Sequence, residues 1–197
     1  MRILSLFANI GVAEARLHEV DGVEVVVANE LLQRRATLYQ RIYPNSSMIC
    51  GNILDTKVYD SIIKTSRERH VDVIMATPPC QGISTAGQQI EGDERNSLTI
   101  PALHSIQDLE PKYAVLENVP GYLKTTIDYN GQLCLIPDII SDTLGDKYEI
   151  SFNVIDTADY GVPQVRERAI VLLSRKDQPV WELPSKSNRI VTMRDAI

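Results

Sequence analysis

The feature that most constrains the fold is an alternation of short apolar runs with longer helical patterns. Strand-like apolar runs occur at Ile3–Phe7, Val23–Ala28, Met48–Cys50, Val71–Ala76 and Lys112–Leu116. The segments between them have helical periodicity, at Val12–Val20, Glu30–Tyr43, Thr56–Arg69 and Ser97–Leu109, the last broken near Pro101. Alternation of this kind is typical of βαβ units. It predicts an α/β fold with a mostly parallel sheet and helices on both faces.

The C-terminal part of the chain departs from this alternation. We predict a helix over Leu133–Leu144, followed by an antiparallel strand pair at Tyr148–Ile155 and Ala169–Ser174. The connections at 84–96 and 119–132 are long for a compact domain, and such loops tend to be functional. The proline-rich, polar stretch 178–188 is typical of a linker. We therefore expect one domain over 1–177 and a linker over 178–197.

Composition limits the classes of protein to which the chain can belong. With 20 Lys and Arg against 26 Asp and Glu, the net charge is −6, which suits a self-sufficient duplex binder poorly. A nucleic-acid substrate would then need phosphate contacts from elsewhere. The three cysteines are too scattered for a disulfide framework or a zinc site. No signal peptide or membrane span is recognisable, so we expect a soluble, cytoplasmic protein without a metal.

A cysteine stands at the end of the fourth predicted strand. The run Val71–Ala76 is followed by Pro78, Pro79 and Cys80, and the two prolines end the strand because neither has a backbone N–H. Ligands of open α/β sheets bind at the carboxyl ends of strands. Cys80 is therefore a candidate nucleophile, although a small buried loop cysteine gives the same pattern.

Three other strand ends carry residues suited to a nucleoside. The first turn contains Phe7–Gly11, Glu30 closes the second strand, and Asn52–Ile53 follows the third. A glycine turn exposes backbone amides, and an acidic residue about twenty positions later can accept from both hydroxyls of a ribose. The alternatives are an ordinary βα turn and a carboxylate placed at a helix N-terminus.

Two further sets of residues combine charged and amide side chains. Glu117 and Asn118 end the fifth strand, where a carboxyl of raised pKa could donate a proton or a hydrogen bond. Gln164, Arg166 and Arg168 alternate, so on a strand they would share one face. Paired arginines can lower the pKa of a thiol, bind phosphates or bind a carbonyl oxygen. The alternatives are a surface ion pair and a solvated edge strand.

In this order the motifs resemble the cytosine-5 DNA methyltransferase family. The resemblance covers about residues 2–175 and rests on the ordered set Phe7-x-x-x-Gly11, Glu30, Pro78-Pro79-Cys80-Gln81, Asp93-x-Arg95-x-x-Leu98, Glu117-Asn118-Val119, Ala158–Pro163 and Gln164-x-Arg166-x-Arg168. It implies a Rossmann-like fold that uses S-adenosylmethionine, and methylation of carbon 5 of a flipped-out cytosine in DNA.

The resemblance also implies a role for each matching residue. Cys80 would add to carbon 6, Glu117 would bind the polar edge of the base, Arg168 would bind its carbonyl oxygen and Arg166 would support the site. The cofactor contacts implied are Phe7, Ala8, Asn9, Ile10, Gly11, Glu30, Leu31, Asn52, Ile53, Pro79 and Leu98. The substrate contacts implied are Gln81, Ser84, Arg95, Asn118 and Gln164.

The chain also departs from the family pattern. Asn9 and Val12 stand at positions that are often glycine, and Asn52 replaces an aspartate. The target recognition region and the last two motifs would follow Val191–Ile197, where the chain stops. We therefore expect the catalytic part of a split or truncated restriction-modification-type methyltransferase, with a second polypeptide or region that recognises DNA. The alternatives are a catalytically idle subunit of the same fold, a transfer RNA cytosine-5 methyltransferase and an unrelated thiol hydrolase.

Overall fold

The computed structural model describes residues 1–79, 97–187, 189 and 191–197. Its strands are β1 (Arg2–Leu6), β2 (Glu24–Glu30), β3 (Ser47–Cys50), β4 (Val73–Ala76), β5 (Tyr113–Asn118), β6 (Thr126–Tyr129), β7 (Gln132–Leu135), β8 (Tyr148–Asp156) and β9 (Glu167–Arg175). Its helices are α1 (Gln33–Ile42), α2 (Thr56–Glu68), α3 (Thr99–Leu109), α4 (Ile136–Leu144) and α5 (Met193–Ala196). Short 3₁₀ turns occur at Leu17–Glu19, Pro120–Lys124 and Thr157–Tyr160.

Seven strands belong to one sheet, in the order β3-β2-β1-β4-β5-β9-β8. The pairs β1–β2, β1–β4 and β2–β3 are parallel, whereas β8–β9 is antiparallel. The predicted α/β architecture, with its parallel sheet and antiparallel C-terminal pair, is confirmed. Strands β6 and β7 form a separate two-stranded hairpin.

The chain divides into two compact units. The first comprises 1–79 and 98–115, and the second comprises 80–97 and 116–197. Fully buried apolar side chains of the first unit include Leu4, Leu6, Val26, Ile62, Ile74, Leu103 and Ile106. Those of the second include Leu116, Ile136, Ile139, Ile140, Val171 and Leu173. The predicted boundaries at 177 and 178 stay a prediction.

Local sequence explains where the main helices begin. The Asp55 side chain caps α2 by accepting from the backbone N–H groups of Lys57 and Val58, at 2.8 and 3.4 Å. Pro101 lies in the first turn of α3, where backbone N–H groups lack intrahelical partners. For that reason α3 is continuous, and the predicted break near Pro101 is wrong.

The predicted helix over Val12–Val20 is also wrong. Turns and the 3₁₀ turn Leu17–Glu19 occupy this segment, and most of its apolar side chains are exposed. Among the residues of this segment whose burial is described, the buried one is Glu14, whose carboxylate accepts hydrogen bonds from Ser5 and Tyr39. A buried carboxylate held by two distant hydroxyls orients the segment in place of an apolar helical face.

The predicted helix at Leu133–Leu144 is correct only from Ile136 onward. Residues 126–135, predicted as the end of a loop and the start of this helix, form the β6–β7 hairpin. Asn130 and Gly131 make its turn, with φ of 56° and 80°. An Asn-Gly pair with positive φ at both positions is typical of a tight hairpin turn. The helix prediction followed the apolar periodicity of the segment and overlooked this turn.

The C-terminal tail has few regular elements in its described part. Within the second unit it is held by a hydrogen bond from Trp181 N to Ser174 Oγ (2.8 Å), a second from Ser187 N to Asp159 O (2.7 Å) and an ion pair between Lys186 and Asp159 (2.6 Å). None of the helices in the described ranges is long and apolar enough to cross a membrane.

Candidate functional site

The first turn follows β1 and has an unusual backbone. Phe7, Asn9 and Gly11 all have positive φ, of 60°, 52° and 85°. Between them Ala8 is buried and donates its N–H to Asn29 O at 2.9 Å, which fixes the turn against the end of β2. Three residues in the left-handed region thus lie within five positions, with Asn9 exposed and Ile10 half-buried at the surface.

Glu30, at the end of β2, is bonded to the first turn. The residue is 4% exposed, and its Oε2 accepts from the backbone N–H of Asn9 at 2.9 Å. Its Oε1 accepts from the N–H of Leu32 at 2.9 Å and lies 3.9 Å from Arg35 Nη1. Each carboxylate oxygen can accept two hydrogen bonds, so acceptor capacity remains for a vicinal diol. Leu31, beside it, is exposed.

Gly11 is required for packing as well as for conformation. A Cβ at this position would lie 2.1 Å from Tyr43 Cε2, and Tyr43 Oη donates to Gly11 O at 2.6 Å. Tyr43 follows α1 and also packs against Tyr39, with 4.7 Å between the ring centroids and 39° between the ring planes. Sequence reasoning missed Tyr43 because its partner lies 32 residues earlier in the chain.

The turn after β3 is organised by amides. Asn29 Nδ2 donates to Ile49 O at 2.9 Å and to Gly51 O at 3.1 Å, which ties the end of β2 to this turn. The side chain of Asn52 is exposed, and its Oδ1 accepts from Leu54 N at 3.0 Å. In contrast, Ile53 is only 4% exposed. The predicted adenine contacts at Asn52 and Ile53 stay predictions.

The strand that leads to the cysteine ends at Ala76. Beyond it, Thr77 N donates to Leu6 O and Thr77 Oγ1 donates to Phe7 O, both at 3.3 Å. These bonds join the turn before Pro78 to the first turn. Pro79 is half-buried, as is Leu98, which directly precedes α3. The predicted nucleophile and substrate contacts Cys80, Gln81, Ser84 and Arg95 lie outside the described residues.

In the second unit, Glu117 and Arg168 form an ion pair. Glu117 Oε1 lies 2.9 Å from Arg168 Nε, and the two side chains are 35% and 14% exposed. The Nη1 of Arg168 also donates to Glu167 O at 2.6 Å. Glu117 lies near the end of β5 and Arg168 near the start of β9, adjacent strands of the sheet. The structure thus brings together two of the predicted catalytic residues.

Opposing influences act on the Glu117 carboxyl. Burial raises its pKa, and the positive charge of Arg166 lowers it by a smaller amount. The ion pair with Arg168 favours the ionised form in the same way as Arg166. The net effect is a raised pKa, so this carboxyl keeps its proton to a higher pH than an exposed glutamate does.

Arg166 and Gln164 lie in a turn, and their predicted place on a strand is wrong. β9 begins at Glu167, and both residues are exposed. Asp156 Oδ1 accepts from the N–H of Arg166 at 3.0 Å, and Thr157 Oγ1 donates to Gln164 O at 2.8 Å. The backbone groups of these two residues are thus bonded to side chains of Asp156 and Thr157 and not to a strand ladder.

Asp156 and Thr157 hold this turn in place, and sequence reasoning missed both. Asp156 Oδ1 also accepts from Ala158 N at 3.0 Å, and Thr157 N donates to Arg166 O at 3.1 Å. An Asp-Thr pair at a strand end before a proline-containing turn is a recognisable capping signal. Asn118, predicted to contact substrate, is 4% exposed, and its Oδ1 accepts from Val119 N at 2.9 Å.

Comparison with known proteins identifies the family. The model of the family described as C-5 cytosine-specific DNA methylase matches residues 1–196. The chain belongs to this family. The resemblance inferred from the motifs is therefore confirmed.

Two curated members of the C-5 cytosine-specific DNA methylase family are informative relatives. The Type II methyltransferase M1.HgaI of Avibacterium volantium is 41% identical over 199 residues, which cover 98% of this chain and 55% of the relative. The Type II methyltransferase M.DdeI of Desulfomicrobium norvegicum is 30% identical over 181 residues, covering 91% and 42% respectively. The chain spans about half the length of these relatives.

A solved structure supports the fold expected of a C-5 cytosine-specific DNA methylase. A candidate DNA modification methyltransferase encoded within an E. coli prophage superposes with a TM-score of 0.77 at 22% identity. The match covers 100% of this chain and 54% of that one. The Rossmann-like architecture predicted for the chain is thereby confirmed.

Proposed function

We propose that the chain is the catalytic part of an S-adenosylmethionine-dependent DNA (cytosine-5-)-methyltransferase. Membership of the C-5 cytosine-specific DNA methylase family supports the reaction class. The observation that carries the assignment to this chain's own residues is the 2.9 Å ion pair between Glu117 and Arg168. It joins, across adjacent strands, an acid and a guanidinium that are both suited to the polar edge of a cytosine.

The ends of β1–β4 fit the cofactor by their chemistry. Glu30 offers carboxylate oxygens with remaining acceptor capacity, which suits the two hydroxyls of a ribose. The exposed Asn52 amide suits an adenine. Gly11, with its positive φ, lets the backbone of the first turn approach a ligand closely. Phe7–Gly11, Glu30–Leu31, Asn52–Ile53, Pro79 and Leu98 would hold the cofactor. When bound, S-adenosylmethionine supplies the methyl group.

The proposed nucleophile is Cys80. Its thiolate adds to carbon 6 of the cytosine, which turns carbon 5 into an enamine-like nucleophile. After carbon 5 has been methylated, it loses its proton to a base, and the sulfur leaves carbon 6 as thiolate. The target base must leave the duplex to reach such a site. Gln81, Ser84, Arg95, Asn118 and Gln164 are the proposed contacts to substrate.

Glu117 and Arg168 bind the base in this mechanism. A protonated Glu117 donates to ring nitrogen 3, and the rise in its pKa on burial favours that form. A guanidinium has five N–H donors, of which Arg168 uses Nε toward Glu117 and one on Nη1 toward Glu167 O. Another can bind the carbonyl oxygen of the base. Arg166, exposed on its turn, adds positive potential.

The length of the chain relative to its relatives concerns the source of DNA recognition. A target recognition region would come from a second polypeptide or a further region, because the chain spans about half of its curated relatives. The net charge of −6 agrees with this, since duplex binding normally requires an excess of basic residues.

Trapping on a modified base tests the proposal. The chain is incubated with S-adenosylmethionine and DNA containing 5-fluorocytosine, alone and with the polypeptide encoded next to it. Fluorine on carbon 5 prevents the final proton loss, so the Cys80 adduct should survive denaturation and appear as a shifted band. Cys80→Ser should give none, whereas Cys134→Ser, a change at a half-buried free thiol, should trap like the parent.

The outcomes separate the alternatives. Trapping that occurs only in the mixture supports a split enzyme. If an adduct forms only with transfer RNA that contains 5-fluorocytosine, the substrate is transfer RNA and not DNA. No adduct under any of these conditions, with cofactor binding intact, would support the catalytically idle subunit. Trapping by Cys80→Ser at the parent's level would refute the assignment of the nucleophile.

A further inference from the structure

Tyr43 contacts the first turn through both its hydroxyl and its ring. Its Oη donates to Gly11 O at 2.6 Å. A Cβ on Gly11 would lie 2.1 Å from Tyr43 Cε2, so the ring fills the space that a side chain would occupy. The ring also packs against a buried cluster formed by Ala8, Ala28 and Tyr39. The turn is therefore bonded to Tyr43 at Gly11 and shares an apolar cluster with it at Ala8.

Tyr39 gives Tyr43 a fixed support. Tyr39 is 0% exposed, and its ring centroid lies 4.7 Å from that of Tyr43. Its hydroxyl donates at 3.4 Å to the buried carboxylate of Glu14, which also accepts from Ser5 Oγ on β1. Displacing Tyr39 would break these buried hydrogen bonds, which is costly. Tyr43 thus rests on a side chain that is tied to the core of the first unit.

Packing holds the Tyr43 ring only in part. Tyr43 is half-buried, and it lines a cavity of about 280 Å³. A side chain beside an empty space has few contacts to lose when it shifts toward that space. The hydrogen bond from its hydroxyl to Gly11 O is therefore the contact that fixes the ring to the turn. Without this bond, both the ring and the turn gain freedom to move.

The same turn orients the carboxylate proposed to bind the ribose. Asn9 N donates to Glu30 Oε2 at 2.9 Å. Ala8 N donates to Asn29 O and Gly11 N donates to Ala8 O, both at 2.9 Å. These bonds connect Gly11, through the backbone of the turn, to the end of β2. A change at Gly11 is therefore expected to alter the amide that holds Glu30.

We propose that Tyr43 is a positioning residue for S-adenosylmethionine. Its hydroxyl fixes the Gly11 carbonyl, and with it the backbone of the first turn, in the conformation that binds the cofactor. The inference rests on the proposed function, which assigns Phe7–Gly11 and Glu30 to the cofactor. Tyr43 acts through the turn and not by contact with the ligand. When the competent conformation is only partly populated, the affinity falls in proportion to its population.

Titration of the full chain with S-adenosylmethionine, followed by isothermal calorimetry, tests the inference. Tyr43→Phe keeps the ring and removes the hydrogen bond, and it should raise Kd roughly threefold to tenfold. Tyr59→Phe is the matched control. Tyr59 is also half-buried, and its hydroxyl donates to Asp108 Oδ2 at 2.7 Å, between α2 and α3. Its loss should change Kd by less than about twofold, because that contact does not involve the turn.

Amide hydrogen exchange gives a measurement that needs no ligand. The N–H of Gly11 is bonded to Ala8 O in the turn, so its exchange rate reports how often the turn opens. Tyr43→Phe should accelerate exchange at Gly11 roughly threefold to tenfold, as followed by NMR, and Tyr59→Phe should leave it unchanged. An unchanged rate in Tyr43→Phe would overturn the inference.

A third variant separates the inference from the proposed function. Glu30→Gln should raise the Kd of the cofactor roughly tenfold or more if Glu30 binds the ribose. Parent affinity in Tyr43→Phe, together with weakened binding in Glu30→Gln, would overturn the role of Tyr43 and leave the cofactor site standing. Equal weakening by Tyr43→Phe and Tyr59→Phe would also overturn it, since the effect would then be a general loss of stability. A parent chain that does not bind S-adenosylmethionine would refute the proposed cofactor, and the inference with it.

Discussion

Replacing Gly11 by alanine tests how the first turn is built. Gly11 has φ of +85°, and a Cβ there would lie 2.1 Å from the Tyr43 ring. The ring must therefore move, and the hydrogen bond from its hydroxyl to Gly11 O, now 2.6 Å, must lengthen or break. Three separate effects contribute to the expected loss of stability.

The magnitude follows from these three effects. Alanine in the left-handed region costs about 1–2 kcal/mol, partly offset by about 0.4–1 kcal/mol because alanine reduces the entropy of the unfolded chain. Loss of the Tyr43 hydrogen bond adds about 0.5–1.5 kcal/mol, and displacing a half-buried ring adds about 1 kcal/mol more. Gly11→Ala should therefore lower the free energy of unfolding by about 2–4 kcal/mol.

Urea denaturation followed by circular dichroism measures this loss. Gly22→Ala is the matched control, because Gly22 also has positive φ, +74°, but nothing lies within 4 Å of the added Cβ. The control should lose only about 1 kcal/mol, the backbone part alone. If both variants lost the same stability, the Tyr43 contact would contribute nothing and the reasoning would be refuted.

Three further changes probe other contacts. Asn29→Ala removes two hydrogen bonds from a side chain that is 2% exposed and should cost about 1–3 kcal/mol in urea denaturation, against about 0.5 kcal/mol or less for the exposed Gln33→Ala. An equal loss of stability in the two variants would contradict this expectation. Glu14 has a folded-state pKa above its usual 4.5, so the stability it contributes is lost as pH rises through that folded value. As pH increases, the melting temperature of Glu14→Gln should therefore rise relative to that of the parent protein. A difference in melting temperature that stays constant with pH would be evidence against this. Asp156 accepts two backbone N–H groups, which lower its pKa. Asp156→Ala should accelerate hydrogen exchange at those two amides, measured by NMR, and unchanged rates would show that the turn is held without this side chain.

The candidate site was predicted best where residues follow strand ends. Glu30, Asn52 and Glu117 were placed correctly on their elements because apolar runs reveal where strands stop. The roles of these residues in binding or catalysis stay proposals. Arg166 was placed wrongly on a strand, since alternation alone cannot show that side chains such as Asp156 and Thr157 take over the backbone hydrogen bonds of a turn.

The sequence by itself determined the βα alternation, the order of the motifs and, through them, the family. These features depend on local periodicity and on residue type, which neighbouring positions express directly. Only the tertiary structure decided that Glu14 is buried, that Tyr43 covers Gly11 and that Arg168 pairs with Glu117. Each of these contacts joins residues at least nine positions apart. Their geometry depends on how whole elements pack, which no local pattern records.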